Sequence, residues 1–346
     1  MVVDGCPAGL KLNVESIQRE LNRRKPKGPL STSRVEEDRV EILSGVFRGF
    51  TTGAPICMVV WNRDVSSEEY ERLRFTPRPG HADYTAYVKY GGYSDYRGGG
   101  RFSGRITAGF VMAGAVAKAL LNLIGVEVLA HTVEIAGIRA EAVGLENIRK
   151  LAPKSPVGCA DPEASRRMVK AILEASRSGD SVGGVVECVA LNVPVGLGEP
   201  VFDTLDGDIA KALFSIPAVK AVEFGLGFEL ARLKGSESND EFTVKDGRVV
   251  TETNRCGGIL GGISNGMPIV CRVAFKPPSS IRKPQRTVNL RSMEETVIKV
   301  RGRHDPCIVP RVLPIVEAMV SIVLVDHAIR GGFIPRVIRR NPDVSC

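Results

Sequence analysis

The segment Arg97-Gly98-Gly99-Gly100-Arg101-Phe102-Ser103-Gly104-Arg105-Ile106-Thr107 concentrates residue types that bind anions. Three consecutive glycines let the backbone approach a ligand with no Cβ in the way. Arg97, Arg101 and Arg105 supply cations, and Ser103 and Thr107 supply hydroxyls. Small apolar residues from Ala108 to Leu121 follow and read as a buried helix. The loop therefore feeds a helix N-terminus, where unpaired N–H groups and the helix dipole favour negative charge. Capture of a phosphate or carboxylate is one reading of these residues; a structural turn carrying surface arginines is the other. No Gly-Lys-Ser/Thr follows and the glycine spacing is not the dinucleotide fingerprint, so neither common phosphate motif is present.

Other segments carry related chemistry. Lys276-Pro277-Pro278-Ser279-Ser280 is a second loop of cation plus hydroxyls, and Arg301-Gly302-Arg303-His304-Asp305-Pro306 is a third charged loop. Gly257 to Gly266 holds five glycines in ten residues, which again suggests close backbone approach. Pro77-Arg78-Pro79-Gly80-His81 pins a histidine on a rigid loop, twenty residues before Arg101. Histidine titrates near neutral pH and loops on rigid scaffolds often carry function, although an ordinary surface histidine fits as well. Arg23, Arg24 and Lys25 crowd the last turn of a helix, where cations suit the dipole or simply face solvent.

Several elements must hold these loops. Asn13 caps a helix that carries Ile17 and Leu21 and stops before Pro26. Val40–Leu43, Ile56–Trp61, Glu127–Ala140, Gly184–Val193 and Pro268–Phe275 read as strands. Asp161-Pro162 opens a helix that runs to about Ser176 and ends at Gly179. A short helix spans Asp206–Phe214, Asp246-Gly247 is a hairpin turn, and the last helix, about Pro314–Arg330, is apolar on most faces. Asn62–Thr76 reads as a polar loop. Gly179-Asp180-Ser181-Val182-Gly183 matches the serine-hydrolase pattern G-x-S-x-G, but a helix precedes it and a strand follows, the reverse of what that chemistry needs. Strands and helices mix without a βαβ repeat, which predicts an α+β fold with antiparallel sheets. No linker divides residues 1–346, so one domain is expected.

Composition narrows the class. Of 346 residues, 43% are apolar and 25% charged, as in a globular protein. Only 5% are aromatic, which disfavours stacking platforms for single-stranded nucleic acid. The net charge of +8 is spread along the chain and favours small anionic substrates over nucleic acid. No uninterrupted apolar run is long enough for a membrane span and the N-terminus lacks signal-peptide features, so a cytoplasmic protein is expected. Eight scattered cysteines include no C-x-x-C, which predicts core thiols and no metal site. With only two glutamines, Gln18 and Gln285, the composition suits a thermophile.

The order of the loops is more specific than any one of them. Arg78-Pro-Gly-His81-Ala-Asp-Tyr, Tyr96-Arg-Gly-Gly-Gly-Arg101, Gly257-Gly-Ile-Leu-Gly-Gly-Ile-Ser, Lys276-Pro-x-Ser-Ser280 and Gly302-Arg-His-Asp-Pro-Cys307 occur in one chain. In that order they resemble chorismate synthases, over about Val3 to Gly331. Arg101-Phe102-Ser103-Gly104 is similar to the archaeal branch of the family. The resemblance implies a β-α-β sandwich and a 1,4-elimination of phosphate from 5-enolpyruvylshikimate 3-phosphate, giving chorismate with reduced FMN and no net redox change. It implies FMN contacts at Arg101, Phe102, Ser103, Pro217, Ala218, Gly261, Lys276, Pro277, Pro278, Ser279, Ser280 and Arg303. It gives His81 the role of proton donor to the reduced flavin and Asp305 that of assisting deprotonation at its N5. Arg24, and less directly Arg105, match the substrate and phosphate region. A homotetramer is implied; whether electrons reach the flavin from NADP(H) through the chain itself or from an external flavin reductase stays open.

One departure bears on activity. The family begins with a strand ending in Phe-Gly-Glu-Ser-His-Gly, whose histidine protonates the departing phosphate, whereas the four histidines here are His81, His131, His304 and His327. The polypeptide as written is therefore expected to be impaired, and comparison of its turnover with that of a chain carrying the extra strand tests this. The alternatives are a non-catalytic flavin- or anion-binding relic and a basic nucleic-acid binder, which would show steep salt dependence of DNA affinity.

Overall fold

The two apolar runs form the middle of the molecule. In the computed structural model, which describes residues 1–26, 28–32, 37–63, 68–302 and 304–339, the helices Thr107–Leu121 and Val309–Arg330 pack along each other, and Val14–Arg24 lies against both. Val309–Arg330 is apolar around its circumference because it is covered around its circumference: Leu313, Val316, Val320 and Leu324 are all buried. Its N-terminus lies five residues earlier than the sequence suggested. Pro310 occupies the first turn, where a missing N–H costs nothing, and Pro314 sits inside the helix. Gly104–Ile124 and Val309–Arg330 are long and apolar enough to cross a membrane, but they serve here as core helices, the second buried over most of its length.

The central helices touch at small residues. A Cβ on Gly114 would overlap the Cβ of Ala318, so the glycine sets the separation of the two axes. Gly114→Ala is expected to destabilise the protein by about 1–3 kcal/mol through overpacking, read by chemical denaturation, although alanine is the better helix former.

Sheets flank this helical layer. A five-stranded antiparallel sheet has the order Ile138–Arg139, Glu127–Ile135, Gly184–Leu191, Ile269–Phe275, Val219–Phe224. A three-stranded sheet has the order Val2–Val3, Ile56–Val60, Val40–Ile42, and a Cβ on Gly109 of the central helix would crowd the Met1 side chain beside it. The arrangement is the α+β sandwich expected. One contiguous hydrophobic core runs from Cys6 to Ile334. Among the described residues the seven cysteines are free, and burial pushes the Cys307 thiol up to about 12 and that of Cys6 up to about 11.

Local signals explain most elements. Asn13 Oδ1 accepts the Glu15 N–H at 2.8 Å, and Asp161 Oδ1 accepts those of Glu163 and Ala164. Asp246-Gly247 closes the hairpin Phe242–Lys245/Arg248–Thr251. The strand read over Glu127–Ala140 is instead a hairpin, turning at Ala136-Gly137. The segment read as the loop Asn62–Thr76 contains a helix, Glu68–Leu73, and a second helix, Asp83–Lys89, follows directly on His81. Gly179 to Gly183 joins a helix to a strand, so no serine nucleophile is displayed there.

Candidate active site

Loops from five parts of the chain meet at one cleft of about 570 Å³ near the N-terminal ends of both central helices. The arginine-rich loop enters it as short helical turns, Arg97–Phe102 and Gly104–Ile106, leading into Thr107–Leu121. Gly98, Gly99 and Gly100 all have positive φ, and a Cβ on Gly100 would strike the Asp95 carbonyl. Arg97 turns outward to pair with Asp95, while Arg101, Phe102, Ser103 and Arg105 line the cleft.

The histidine loop is built by its own turn residues. In Arg78-Pro79-Gly80-His81 the His81 N–H returns to the Arg78 carbonyl at 3.1 Å, with positive φ at Gly80. Arg78, 7% exposed, donates to Asp83 Oδ2 at 2.7 Å, to Asp83 Oδ1 at 2.8 Å and to Ser280 Oγ at 3.1 Å. His81 Nδ1 is 2.6 Å from Asp83 Oδ1. Burial raises the Asp83 carboxyl, but its hydrogen bonds with Arg78 and His81 outweigh this and hold it well below the usual carboxylate range.

The Lys276–Ser280 loop continues the strand Ile269–Phe275. Its Lys276 N–H donates to the Ala218 carbonyl at 3.0 Å, and the Lys276 ammonium donates to the Gly80 carbonyl. Pro217 and Ala218 thus share one wall with Lys276, Pro277, Pro278, Ser279 and Ser280. Ala218 holds φ of 73°, an uncommon conformation for a residue with a Cβ, of the kind that concentrates at functional sites.

The far wall comes from the start of the last helix. Asp305 Oδ2 accepts Arg311 Nη1 at 2.7 Å, and its Oδ1 accepts the Thr32 N–H at 2.8 Å. Arg311 Nε also donates to the Arg24 carbonyl, and Arg24, 4% exposed, pairs with Asp38 at 2.7 Å. Burial pulls the His304 imidazole below the ordinary histidine value, against the opposing hydrogen bond to the Arg301 carbonyl.

The expected residues therefore come together: His81, Asp305, Arg24, Arg105, Arg101, Phe102, Ser103, Pro217, Ala218 and Lys276 to Ser280 all line the cleft. Gly261 does not. It lies in the turn between Ile259–Leu260 and Ile263–Ser264, beside Gly262, whose carbonyl accepts the Leu205 N–H. Arg303 lies outside the described residues. Arg78, Thr32 and Arg311 were not singled out from the sequence. Arg78 stands in the motif that supplied His81, so its signal was present; Arg311 fell outside a helix read as starting at Pro314.

A second cavity of about 550 Å³ shares Tyr70, Arg78, Gly99, Arg101 and Phe102 with the first. All six tyrosines lie between positions 70 and 96, and four of them, Tyr70, Tyr87, Tyr90 and Tyr96, line it. Arg74 stacks on both Phe75 and Tyr96, about 5 Å from each ring centroid.

Charge defines what the main cleft can hold. Six cationic side chains line it, Arg24, Arg78, Arg101, Arg105, Lys276 and Arg311, against one carboxylate among the described residues, Asp305. Arg101 and Lys276 have no carboxylate partner among the described residues. Such a cleft suits a ligand with several anionic groups. A family model described as chorismate synthase matches residues 1–329. The chain belongs to the chorismate synthase family. It is 57% identical over 341 residues to a chorismate synthase of Dehalococcoides mccartyi, covering 98% of this chain and 94% of that protein. A chorismate synthase of Methanothermobacter thermautotrophicus is 58% identical over 335 residues, 96% of this chain and 89% of that protein, in keeping with the expected archaeal likeness. A crystal structure of chorismate synthase matches with a TM-score of 0.73 at 33% identity, over 95% of this chain and 87% of that one.

The chorismate synthase reaction is a lyase step, the 1,4-elimination of phosphate from 5-enolpyruvylshikimate 3-phosphate to give chorismate, within the shikimate pathway to the aromatic amino acids. Nothing in these likenesses supports a non-catalytic relic. The family requires a reduced flavin, and the cleft's donor set suits one: Lys276, Ser279 and Ser280 offer cation and hydroxyls for a phosphate, while Phe102, Pro217 and Ile308 offer apolar surface for a planar ring.

Proposed function

We propose that this cleft holds reduced FMN and 5-enolpyruvylshikimate 3-phosphate together, and that the chain, folded as one domain, carries out the elimination there. The observation that carries the reading is the cationic lining, in which Arg24, Arg78 and Arg311 are each held by a carboxylate while Arg101 and Lys276 have none among the described residues, because the ester brings one phosphate and two carboxylates and the cofactor a further phosphate. Bound reduced FMN would lend electron density as the phosphate departs and regain it as the C–H bond breaks.

The protein's part is positioning and proton handling. Arg24 and Arg105 bind the anionic groups of the ester. Arg101, Phe102, Ser103, Pro217, Ala218 and the loop Lys276 to Ser280 hold the cofactor, and the family resemblance adds Arg303 to that set. His81 holds a proton for delivery, and Asp305 presents a carboxylate oxygen that can accept one. Gly261 joins this set only from a neighbouring copy, which a homotetramer would allow. Exposed Phe202, Phe228 and Phe242 support such assembly. Electrons reach the flavin either from NADP(H) through the chain itself or from an external flavin reductase.

The test is anaerobic. Titration with chemically reduced FMN, with and without the ester, reads binding, and the absorbance of chorismate reads turnover. Lys276→Ala is expected to weaken flavin affinity about 10- to 100-fold, the worth of one charge-assisted contact. An affinity changed by less than about twofold would remove Lys276 from the cofactor site.

A further inference from the structure

His81 is held by more than its turn. Asp83 Oδ1 lies 2.6 Å from its Nδ1, a hydrogen-bonding distance. Arg78 Nη2 lies 3.1 Å from Nδ1 and 3.3 Å from Nε2. An atom nearly equidistant from both ring nitrogens at that range stands over the ring face, because in the ring plane it would collide with Cε1. Asp83 is thus the carboxylate against Nδ1, and Arg78 is a cation over the imidazole face.

Asp83 is itself fixed. Its Oδ2 accepts the Arg78 backbone N–H at 3.0 Å and Nε at 2.7 Å, and its Oδ1 accepts Nη2 at 2.8 Å as well as facing His81. The remaining Arg78 nitrogen, Nη1, donates to Ser280 Oγ at 3.1 Å, so the unit is tied to the Lys276–Ser280 loop. A carboxylate only accepts, so the nitrogen facing it must carry the proton.

We infer that Asp83 is the positioning residue for His81: it fixes the proton of the neutral imidazole on Nδ1 and leaves Nε2 as the nitrogen that exchanges a proton in the cleft, while Arg78 clamps Asp83 in place. When His81 gives up a proton from Nε2, the ring returns to the Nδ1–H form that Asp83 already holds, with no ring flip. This rests on the role given to His81 under the proposed function, but concerns which nitrogen carries the proton and can be read without ligand.

Nitrogen-15 NMR of the ligand-free full chain tests it, with only four histidines to assign. The wild type is expected to show neutral His81 as the Nδ1–H tautomer. In Asp83→Asn the amide oxygen is needed by the two Arg78 donors at the Oδ2 position, so the amide nitrogen turns toward His81 and donates to Nδ1. The tautomer inverts to Nε2–H, and turnover falls about tenfold or more with the KM for the ester little changed. Arg78→Lys keeps the Asp83–His81 contact and retains Nδ1–H; it reports even if Asp83→Asn folds poorly. A wild type in the Nε2–H form, an Asp83→Asn chain with the wild-type pattern, or inversion in Arg78→Lys overturns the inference. Inversion in Asp83→Asn with undiminished turnover instead overturns the proton role of His81.

Discussion

Asp305→Asn is expected to lower turnover with chemically reduced FMN by about 100- to 10,000-fold, the usual worth of a positioned acid or base. Asp305 is the one carboxylate among the described residues that line the cleft, so no second carboxylate there can replace it. KM for the ester should hold, since a carboxylate does not bind a polyanion. A structural share must be separated. Both oxygens accept, one from the Thr32 N–H and one from Arg311, so asparagine brings a donor against a donor and costs about 1–3 kcal/mol of stability. Chemical denaturation of the same variant reads that share. A folded variant with turnover within about tenfold of wild type would strip Asp305 of its proton role.

Glu317→Gln is expected to destabilise the fold by about 1–3 kcal/mol, because it leaves Arg23 and Lys118 to share the one carboxylate of Glu20. Glu317, 2% exposed, lies midway along the last helix. It takes both Arg23 nitrogens at 2.6 and 2.7 Å, the Lys118 ammonium at 2.5 Å and the Ala130 N–H at 3.1 Å. Glu20 shares the same two cations. The cluster pins the Val14–Arg24 helix to both central helices and to the strand Glu127–Ile135. Burial raises the Glu317 carboxyl, but Lys118 and Arg23 more than reverse it and bring it down to about 2 from the ordinary 4.5. A depressed carboxyl stabilises fully above its unfolded pKa and loses that contribution as pH falls through the folded one. The gap between wild type and variant should therefore be widest above pH 4.5 and close toward about pH 2, which denaturation at stepped pH will show. A gap that stays constant across that window would mean the charge is not its source.

What could be read from the sequence was whatever local chemistry fixes. Asn13, Asp161-Pro162 and Asp246-Gly247 each determine a cap or a turn within a few residues, and the elements they bound appeared where expected. The cleft residues were legible for a different reason: their types and order carried a family resemblance, while spacing alone left anion site and plain turn equally open. The misses share a cause in tertiary context. Arg311 belongs to the site because Asp305 and the Arg24 carbonyl fold onto it, and no periodicity announces that. Pro314 suggested a helix start because proline breaks helices in isolation; inside a fully packed helix its cost is absorbed. The clamp of Arg78 on Asp83 needed coordinates to show that two charges in one motif face each other instead of solvent.

The confinement of every tyrosine to positions 70–96 gives the molecule a built-in optical reporter. Trp61, the single tryptophan, is 62% exposed and stands outside both cavities, so it registers solvent, whereas phenol emission and near-ultraviolet dichroism arise beside the arginine-rich loop. Because Trp61 can be excited alone at the red edge of the absorption band, subtracting its emission leaves a tyrosine signal that would follow events at that loop in the unmodified chain, without a dye or an introduced label.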